Sequence, residues 1–153
     1  MAVGRSSIIT LREINKENWR AVVDLVVLDS QKDNVASNVM SLCESHYAED
    51  SWARAIYADE TPVGFIMMSI WEPEEWYAIW RFMIDHKYQG LGFGKSTINL
   101  AIDHVKTHHI NAKNIRLMVT NDNIKKFYSK LGWKEISVID ENGHVEMALD
   151  ITE

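Results

Sequence analysis

The chain of 153 residues is long enough to bury one substantial core, and we expect a single domain over residues 1–153. Its 46% hydrophobic and 25% charged residues are ordinary values, and no apolar run approaches the roughly 20 residues of a membrane span. A net charge of −6 disfavours a nucleic-acid binder, and the lone cysteine cannot form an internal disulfide. The N-terminus lacks secretory character. From these features together we expect a cytoplasmic protein without nucleic-acid or membrane partners.

The first half of the chain carries alternating strand and helix patterns. Ile8 to Ile14 predicts a strand, and Asn15 is the expected cap of a following helix. A second helix is predicted from about Asn34 to Tyr47. Its residues expected near one side are Val35, Val39, Leu42, Cys43 and His46. A hairpin follows, with strands predicted at Trp52 to Ala58 and at Val63 to Trp71.

The next predicted strand, Trp76 to Ile84, is apolar on most of both faces. Side chains alternate along a strand, so its even positions are expected on one face and its odd positions on the other. A strand with two apolar faces is covered on both sides. We therefore expect it at the centre of a sheet.

A glycine-rich stretch, Gln89-Gly90-Leu91-Gly92-Phe93-Gly94-Lys95, follows this strand and opens a helix predicted from about Lys95 to His109. A helix N-terminus has unpaired backbone N–H groups and the positive end of the helix dipole. Glycines let a phosphate approach those groups closely. The stretch therefore predicts a phosphate-binding turn. A turn whose glycines serve only as caps is the alternative.

Two well-known phosphate-binding patterns do not fit this stretch. The nucleotide P-loop needs a glycine where Gln89 stands. The dinucleotide pattern G-x-G-x-x-G fails because the third glycine comes one residue early. The pattern that fits is Q-x-x-G-x-G, carried by Gln89, Gly92 and Gly94.

The remaining chain predicts two strand-and-helix units. A strand is expected at Asn114 to Thr120 and a short helix at Asn123 to Leu131, ended by Gly132. Strands at Trp133 to Ile139 and Val145 to Ile151 form a hairpin, since Asn142-Gly143 is a strong turn signal. The predicted order is β-α-α-β-β-β-α-β-α-β-β, a mixed α/β sheet with helices on both faces.

Two motifs together resemble the GNAT superfamily of N-acetyltransferases. Gln89-x-x-Gly92-x-Gly94 after a strand is similar to the family's acetyl-CoA pyrophosphate loop. The run from Asn121 to Trp133 resembles its downstream motif N-x-x-A-x-x-L-Y-x-x-x-G-F, with apolar replacements at Ile124, Phe127 and Trp133. The order of elements from Ile8 onward follows the family. Within it the chain looks closest to bacterial diamine and spermidine/spermine acetyltransferases.

The resemblance implies a mostly antiparallel sheet of about seven strands and acetyl-CoA as cosubstrate, without a metal. Backbone amides of the glycine-rich turn would hold the pyrophosphate, and the strand before it would bond the pantetheine arm. The implied cofactor contacts are Phe82, Met83, Ile84, Gln89, Gly90, Leu91, Gly92, Phe93, Gly94, Lys95 and Asn121.

Tyr128 matches the family's tyrosine, whose hydroxyl lies near the thioester sulfur. A phenol with a pKa near ~10 stays protonated at pH 7 and suits the role of acid to the departing CoA thiolate. The alternative is a core tyrosine beside Phe127.

The general base stays open. Some members of the family place a Glu on the strand before the glycine loop, where this chain has Trp80. An acidic turn at 72–75 and Glu44 are the alternatives for accepting the amine proton or binding an ammonium group. The proposed substrate-binding residues are Glu44, Glu72, Glu75 and Trp80. Aromatic side chains at 71, 76, 77 and 80 would contact a cationic chain or pack in the core.

Cys43 and the histidine pair 108–109 are better explained by structural roles than by catalysis or metal binding. Cys43 is expected to be a buried structural thiol, since no His/Asp arrangement accompanies it. His108 and His109 are adjacent and cannot both face one ion, so we expect them to stabilise a helix end.

The leading hypothesis is an acetyl-CoA-dependent N-acetyltransferase. It would act on a primary amine of a small polyamine or diamine by direct attack in a ternary complex, and assembly as a homodimer is possible. The alternatives are acetylation of another amine, such as a protein N-terminus, lysine, aminoglycoside or amino acid analogue, and a non-catalytic CoA-binding regulator.

Overall fold

A computed structural model describes residues 2–152. They form a seven-stranded sheet of order β1-β2-β3-β4-β5-β7-β6. The strands are β1 (Ile9–Arg12), β2 (Ser51–Ala58), β3 (Thr61–Trp71), β4 (Trp76–Ile84), β5 (Asn114–Val119), β6 (Lys134–Val138) and β7 (Val145–Asp150). The α-helices of the described chain are α1 (Trp19–Asp24), α2 (Asn38–Tyr47), α3 (Phe93–His108) and α4 (Asp122–Lys130).

The sheet is mixed and mostly antiparallel, which confirms the predicted fold class. Neighbouring strands pair antiparallel except for β4 and β5, which are parallel. One apolar cluster packs α3 and α4 on one face of the sheet through residues such as Ile98, Val105 and Tyr128. A second cluster around Val22 and Phe65 packs α1 and α2 on the other face. Helices therefore cover both faces, and no helix within residues 2–152 is both long and apolar enough to cross a membrane.

The centre of the sheet is β4, at the position and with the bounds that its sequence predicts. Its pairing with β3 is interrupted, however. Met67 lies opposite Arg81 and Met68 lies opposite Ile79, so Trp80 is an extra residue on β4. This irregularity is a β-bulge, which bends the strand and increases its local twist.

The bulge changes which side chains share a face. Ile79 packs in the same apolar cluster as Phe82, whereas Trp80 and Met83 pack in the opposite one. The prediction that the even positions of this strand share one face is therefore wrong. An inserted residue shifts the alternation by one position, and side-chain direction reverses beyond it.

The first two helices begin later than predicted. The Asn15 side chain accepts backbone N–H groups of Glu17 and Asn18 in the turn before α1, and the helix itself begins at Trp19. The second helix begins at Asn38 rather than near residue 34. Its N-terminal cap is Ser37, whose hydroxyl accepts a hydrogen bond from the Met40 N–H at 3.2 Å.

The predicted apolar side of α2 is only partly correct. Leu42 packs in the second apolar cluster, but Val39 is 56% exposed and the buried residues of the helix are the polar Asn38 and Ser41. Cys43 is exposed as a free thiol, so the expectation that it is buried is wrong. The Asn38 amide donates to the Val22 carbonyl at 2.8 Å, and this bond ties α2 to α1. A buried amide is stable there because its hydrogen bond offsets the cost of desolvation.

Candidate active site

A cleft of about 760 Å³ opens where β4 and β5 diverge. In the described chain the two strands share a single ladder position, Ala78 opposite Arg116. The bulge at Trp80 follows directly and adds to the sheet's twist, so the strands separate beyond it. The edge of β4 towards its carboxyl end therefore faces the cleft instead of a neighbouring strand.

The glycine-rich turn lies at the carboxyl end of β4 and leads into α3. Gly90 and Gly92 have φ angles of 79° and 85°, values that favour glycine. A Cβ atom at either position would meet nothing within 4 Å, so this side of the turn is open. The helix begins at Phe93, earlier than predicted, and no side chain caps its first turn. The backbone N–H groups there are available to an anion.

The third glycine of the motif has a different function. Gly94 lies in the first turn of α3, and a Cβ atom there would lie 3.2 Å from Cζ of Phe127 on α4. Glycine at this position therefore lets α4 pack closely against the start of α3. Close packing brings the α4 side chains to the same corner of the molecule as the turn.

Gln89 fastens the turn to the end of β4. Its side-chain amide donates to the Ile84 carbonyl at 2.9 Å and exchanges hydrogen bonds with Gln31 at 2.9 and 3.2 Å. The Gln89 side chain therefore positions the turn, and one backbone carbonyl expected to face pantetheine already has a partner. Asp85, which the sequence patterns did not single out, is buried and accepts the Val26 N–H at 2.9 Å.

The other predicted cofactor contacts differ in exposure. Phe82 borders the cleft, and Met83 is buried on the opposite face of the sheet. In the turn, Leu91 is half-buried and Phe93 is buried, so their side chains belong to the core. Lys95 is exposed in the first turn of α3.

Asn121 caps α4, because its side-chain oxygen accepts the Ile124 N–H at 2.9 Å. Asparagine is a preferred N-cap, since it satisfies a backbone donor that the helix leaves unpaired. The cap fixes where the helix starts, and seven positions further along it Tyr128 borders the cleft.

Tyr128 is 5% exposed, and its ring packs edge-on against Phe127 and Trp133, with ring centroids at 5.0 and 5.3 Å. Burial raises the pKa of Tyr128 above the usual value for tyrosine. Within residues 2–152 its hydroxyl has no hydrogen-bond partner. The phenol is thus a protonated donor on the wall of the cleft, and it also belongs to the core.

The predicted substrate-binding residues occupy separate places. Trp80 borders the cleft. Glu44 on α2 accepts two hydrogen bonds from the Arg81 guanidinium, at 3.2 and 3.3 Å. Glu72 pairs with His109, and Glu75 lies 4.0 Å from the Lys113 ammonium. Glu72 and Glu75 lie in the β3–β4 turn, outside the residues that border the cleft.

Other polar residues border the cleft and were not anticipated. Asp50, directly before β2, accepts a hydrogen bond from the Ser69 hydroxyl on β3. Arg116 on β5 pairs with Glu146 on β7 at 2.9 Å. These residues lie on or directly beside four different strands, β2, β3, β5 and β7, so no local spacing could have grouped them.

Comparisons with known proteins agree with this architecture. Residues 8–133 match the Acetyltransferase (GNAT) family. The spermine/spermidine N(1)-acetyltransferase of Bacillus subtilis is 27% identical over 154 residues, covering 94% of this chain and 99% of that protein.

Solved structures share the fold at lower identity. The spermidine N-acetyltransferase of Vibrio cholerae, solved with CoA and spermine, has a TM-score of 0.72 at 19% identity and covers 94% of this chain and 96% of that one. The ribosomal-protein-S18-alanine N-acetyltransferase of Escherichia coli has a TM-score of 0.70 at 15% identity, with 95% and 96% covered. The chain belongs to the GNAT acetyltransferase family and is an acyltransferase enzyme.

Proposed function

We propose that this enzyme transfers the acetyl group of acetyl-CoA to a primary amine of a small polyamine or diamine. The observation that carries the proposal is one cleft between diverging strands, with an uncapped helix start at the carboxyl end of β4 and the Tyr128 phenol on its wall. The Bacillus relative named for spermine and spermidine, and the Vibrio structure solved with CoA and spermine, support this choice of substrates.

The turn after β4 fits the diphosphate of acetyl-CoA. Its two glycines with positive φ leave open space in front of the first N–H groups of α3, and the helix dipole favours an anion there. Lys95 is exposed in the first turn of α3 and adds a positive charge. The unpaired edge of β4 around Phe82 would then bond the amides of the pantetheine arm as an added strand.

Tyr128 supplies the proton at the other end of the cofactor. When a neutral amine attacks the thioester carbonyl, the carbon–sulfur bond breaks and a thiolate leaves. A phenol that burial keeps protonated can donate a hydrogen bond, and then its proton, to that sulfur. The proton that the nitrogen releases on becoming an amide is passed to solvent, and a proton from solvent restores the phenol. In this role Tyr128 acts only after the amine has lost its own proton.

The predicted acceptor residues contribute unequally to this proposal. Trp80 forms an aromatic wall of the cleft that suits a cationic chain. Glu44 is held by Arg81, so it would reach an amine only by exchanging that partner. Glu72 and Glu75, outside the cleft, would add only a negative potential near its rim.

An acceptor panel tests the proposal. The value of kcat/KM, measured by release of the CoA thiol, should be highest for spermidine, spermine or putrescine. It should be lower for a lysine peptide, a peptide N-terminus and an aminoglycoside. Turnover of a peptide without turnover of any polyamine would move the acceptor to proteins. Acetyl-CoA binding without turnover of any amine would instead indicate a regulator.

A further inference from the structure

We infer that Asp50 binds the second, charged amino group of the acceptor while the first attacks the thioester. This inference rests on the proposed function and narrows it to amines that carry two cations. Asp50 is half-buried directly before β2 and borders the cleft that Tyr128 also borders. Sequence patterns assign it no function.

The cationic side chains at the cleft are all neutralised by ion pairs. Each cationic side chain that borders it has a carboxylate partner within 3.2 Å. The pairs are Arg81 with Glu44, Arg116 with Glu146, and Lys32 with Asp29. A matched pair has little residual field for a ligand, so these residues neither attract nor repel an ammonium group strongly.

Two carboxylates at the cleft have no cationic partner among residues 2–152. They are Asp33 and Asp50. Asp33 is exposed on a loop, where water screens its charge. Asp50 is half-buried, and a carboxylate with less water around it interacts more strongly with a cation. The structure therefore favours Asp50 as the ammonium ligand.

Two bonds to β3 hold Asp50 in position. The Ser69 hydroxyl donates to one carboxylate oxygen, and the Asp50 carbonyl accepts the Ile70 N–H at 2.7 Å. Ser69 in turn lies opposite Ala78, the residue of β4 at which the cleft begins. A carboxylate fixed in this way loses less entropy when it binds a cation.

Aromatic walls complete a site for a flexible diamine. Trp76 and Trp80 border the same cleft as Asp50. Aliphatic segments pack on such rings, whose cation–π partners in this structure are Arg116 over Trp76 at 5.7 Å and Arg81 over Trp80 at 5.6 Å. The rings therefore suit the carbon chain of the amine, and the ammonium group is left to a carboxylate. An amine with a second cation would use Asp50, whereas a monoamine of the same length would leave Asp50 without a partner.

Putrescine and n-butylamine provide the test, because they share a four-carbon chain and differ in the second amino group. For Asp50→Asn we expect the ratio of kcat/KM for putrescine to that for butylamine to fall about 10- to 100-fold, the range for a hydrogen bond to a charged group. The loss should appear mainly in KM for putrescine. Ser69→Ala should shift the same ratio in the same direction by a smaller factor.

Asp33→Asn is the matched control, since it removes the same charge from the exposed side of the cleft and should leave the ratio unchanged. Calorimetry with acetyl-CoA checks that Asp50→Asn is folded. An unchanged ratio, whether both values of kcat/KM fall equally or neither falls, would overturn the role of Asp50 and leave the proposed function standing. A wild-type enzyme that acetylates no diamine or polyamine would overturn the proposed function and this inference together.

Discussion

Tyr128 is buried in the core and also borders the cleft. Burial disfavours the phenolate, which raises the pKa of Tyr128. The hydroxyl consequently keeps its proton at neutral and mildly alkaline pH. In the proposed reaction its state of protonation does not limit the rate at neutral or mildly alkaline pH.

Replacing Tyr128 by Phe should lower kcat about 100-fold, the usual scale for general acid catalysis. Acetyl-CoA affinity and Tm should change little, because the hydroxyl has no hydrogen-bond partner in the described chain and the ring still fills its place. Steady-state kinetics, calorimetry and thermal melting measure the three quantities.

Tyr77→Phe is the control for this variant, because Tyr77 is also buried in the α3-facing cluster but does not border the cleft. Its kcat should match that of the wild type. Full activity of Tyr128→Phe would remove this residue from the acid role.

The motif around Tyr128 predicts the residue, and Phe82 and Trp80 were also expected at the site, but several polar residues of the cleft could not be predicted. Asp50 directly precedes β2, Ser69 lies near the end of β3, and Glu146 lies on β7. Each has ordinary sequence surroundings, because strand register brings them together: Asp50 meets Ser69 through the register of the β2–β3 hairpin, and Glu146 reaches the cleft through the pairing of β7 with β5. The Arg81–Glu44 pair joins a strand to a helix in the same way.

The unit formed by β4, the glycine turn and α3 positions the cofactor end of the proposed site. Its glycines differ in function: two adopt positive φ, and the third permits close packing of Phe127. The strand contributes an open edge because its bulge separates it from β5. A turn with different φ angles would aim the first N–H groups of α3 elsewhere.

Gly92→Asp should lower acetyl-CoA affinity at least about tenfold, because the carboxylate repels a diphosphate and blocks the amides it would contact. The left-handed backbone at this position should also cost about 1 kcal/mol of folding free energy for a residue with a Cβ atom. Calorimetry and urea unfolding measure the two effects separately.

Gly143→Asp controls for the backbone strain. Gly143 has a φ of 82° in the β6–β7 turn, and its Cβ position is also open. That variant should lose similar stability and keep its affinity for acetyl-CoA. If both variants bind the cofactor equally well, the glycine turn is not the diphosphate site.

Outside the residues that border the cleft, His104, His108 and His109 form a cluster at the end of α3, which packs on Trp52 of the sheet. The His104 ring stacks on Trp52 and on His108, with ring centroids at 4.3 and 4.4 Å. Burial, followed by the nearby charges of His108, His109 and Arg54, lowers the pKa of His104 from 6.5 to about 4. The folded protein thus holds this imidazole neutral at mildly acidic pH.

This shift predicts how stability depends on pH. Below pH 6.5 the unfolded chain binds a proton at His104 that the folded chain excludes until about pH 4. Stability contributed by the neutral ring is therefore complete above pH 6.5 and is lost as the pH falls towards 4. After allowance for solvent screening at a partly exposed ring, we expect a loss of about 1 kcal/mol between pH 7.5 and 5 from this residue.

Urea unfolding of the wild type and of His104→Gln at the two pH values measures this contribution. The variant should be less sensitive to acid than the wild type. His86→Gln, which replaces an exposed histidine near the glycine turn, should retain the wild-type sensitivity. An unchanged pH dependence in His104→Gln would assign the acid sensitivity to other groups.

Local patterns were sufficient for the kinds and order of the elements, the central place of β4, the glycine turn and the family to which the chain belongs. Alternation, helical spacing and glycine at a turn each depend on neighbours a few residues away, so they can be read along the chain. The bulge at Trp80, the buried amide of Asn38, and the contact of Asp50 with Ser69 depend on the register between paired strands and on how helices pack, even where the elements follow one another in the chain. Register is set by how whole faces pack against each other, and packing became visible only when the sheet and its helices were assembled.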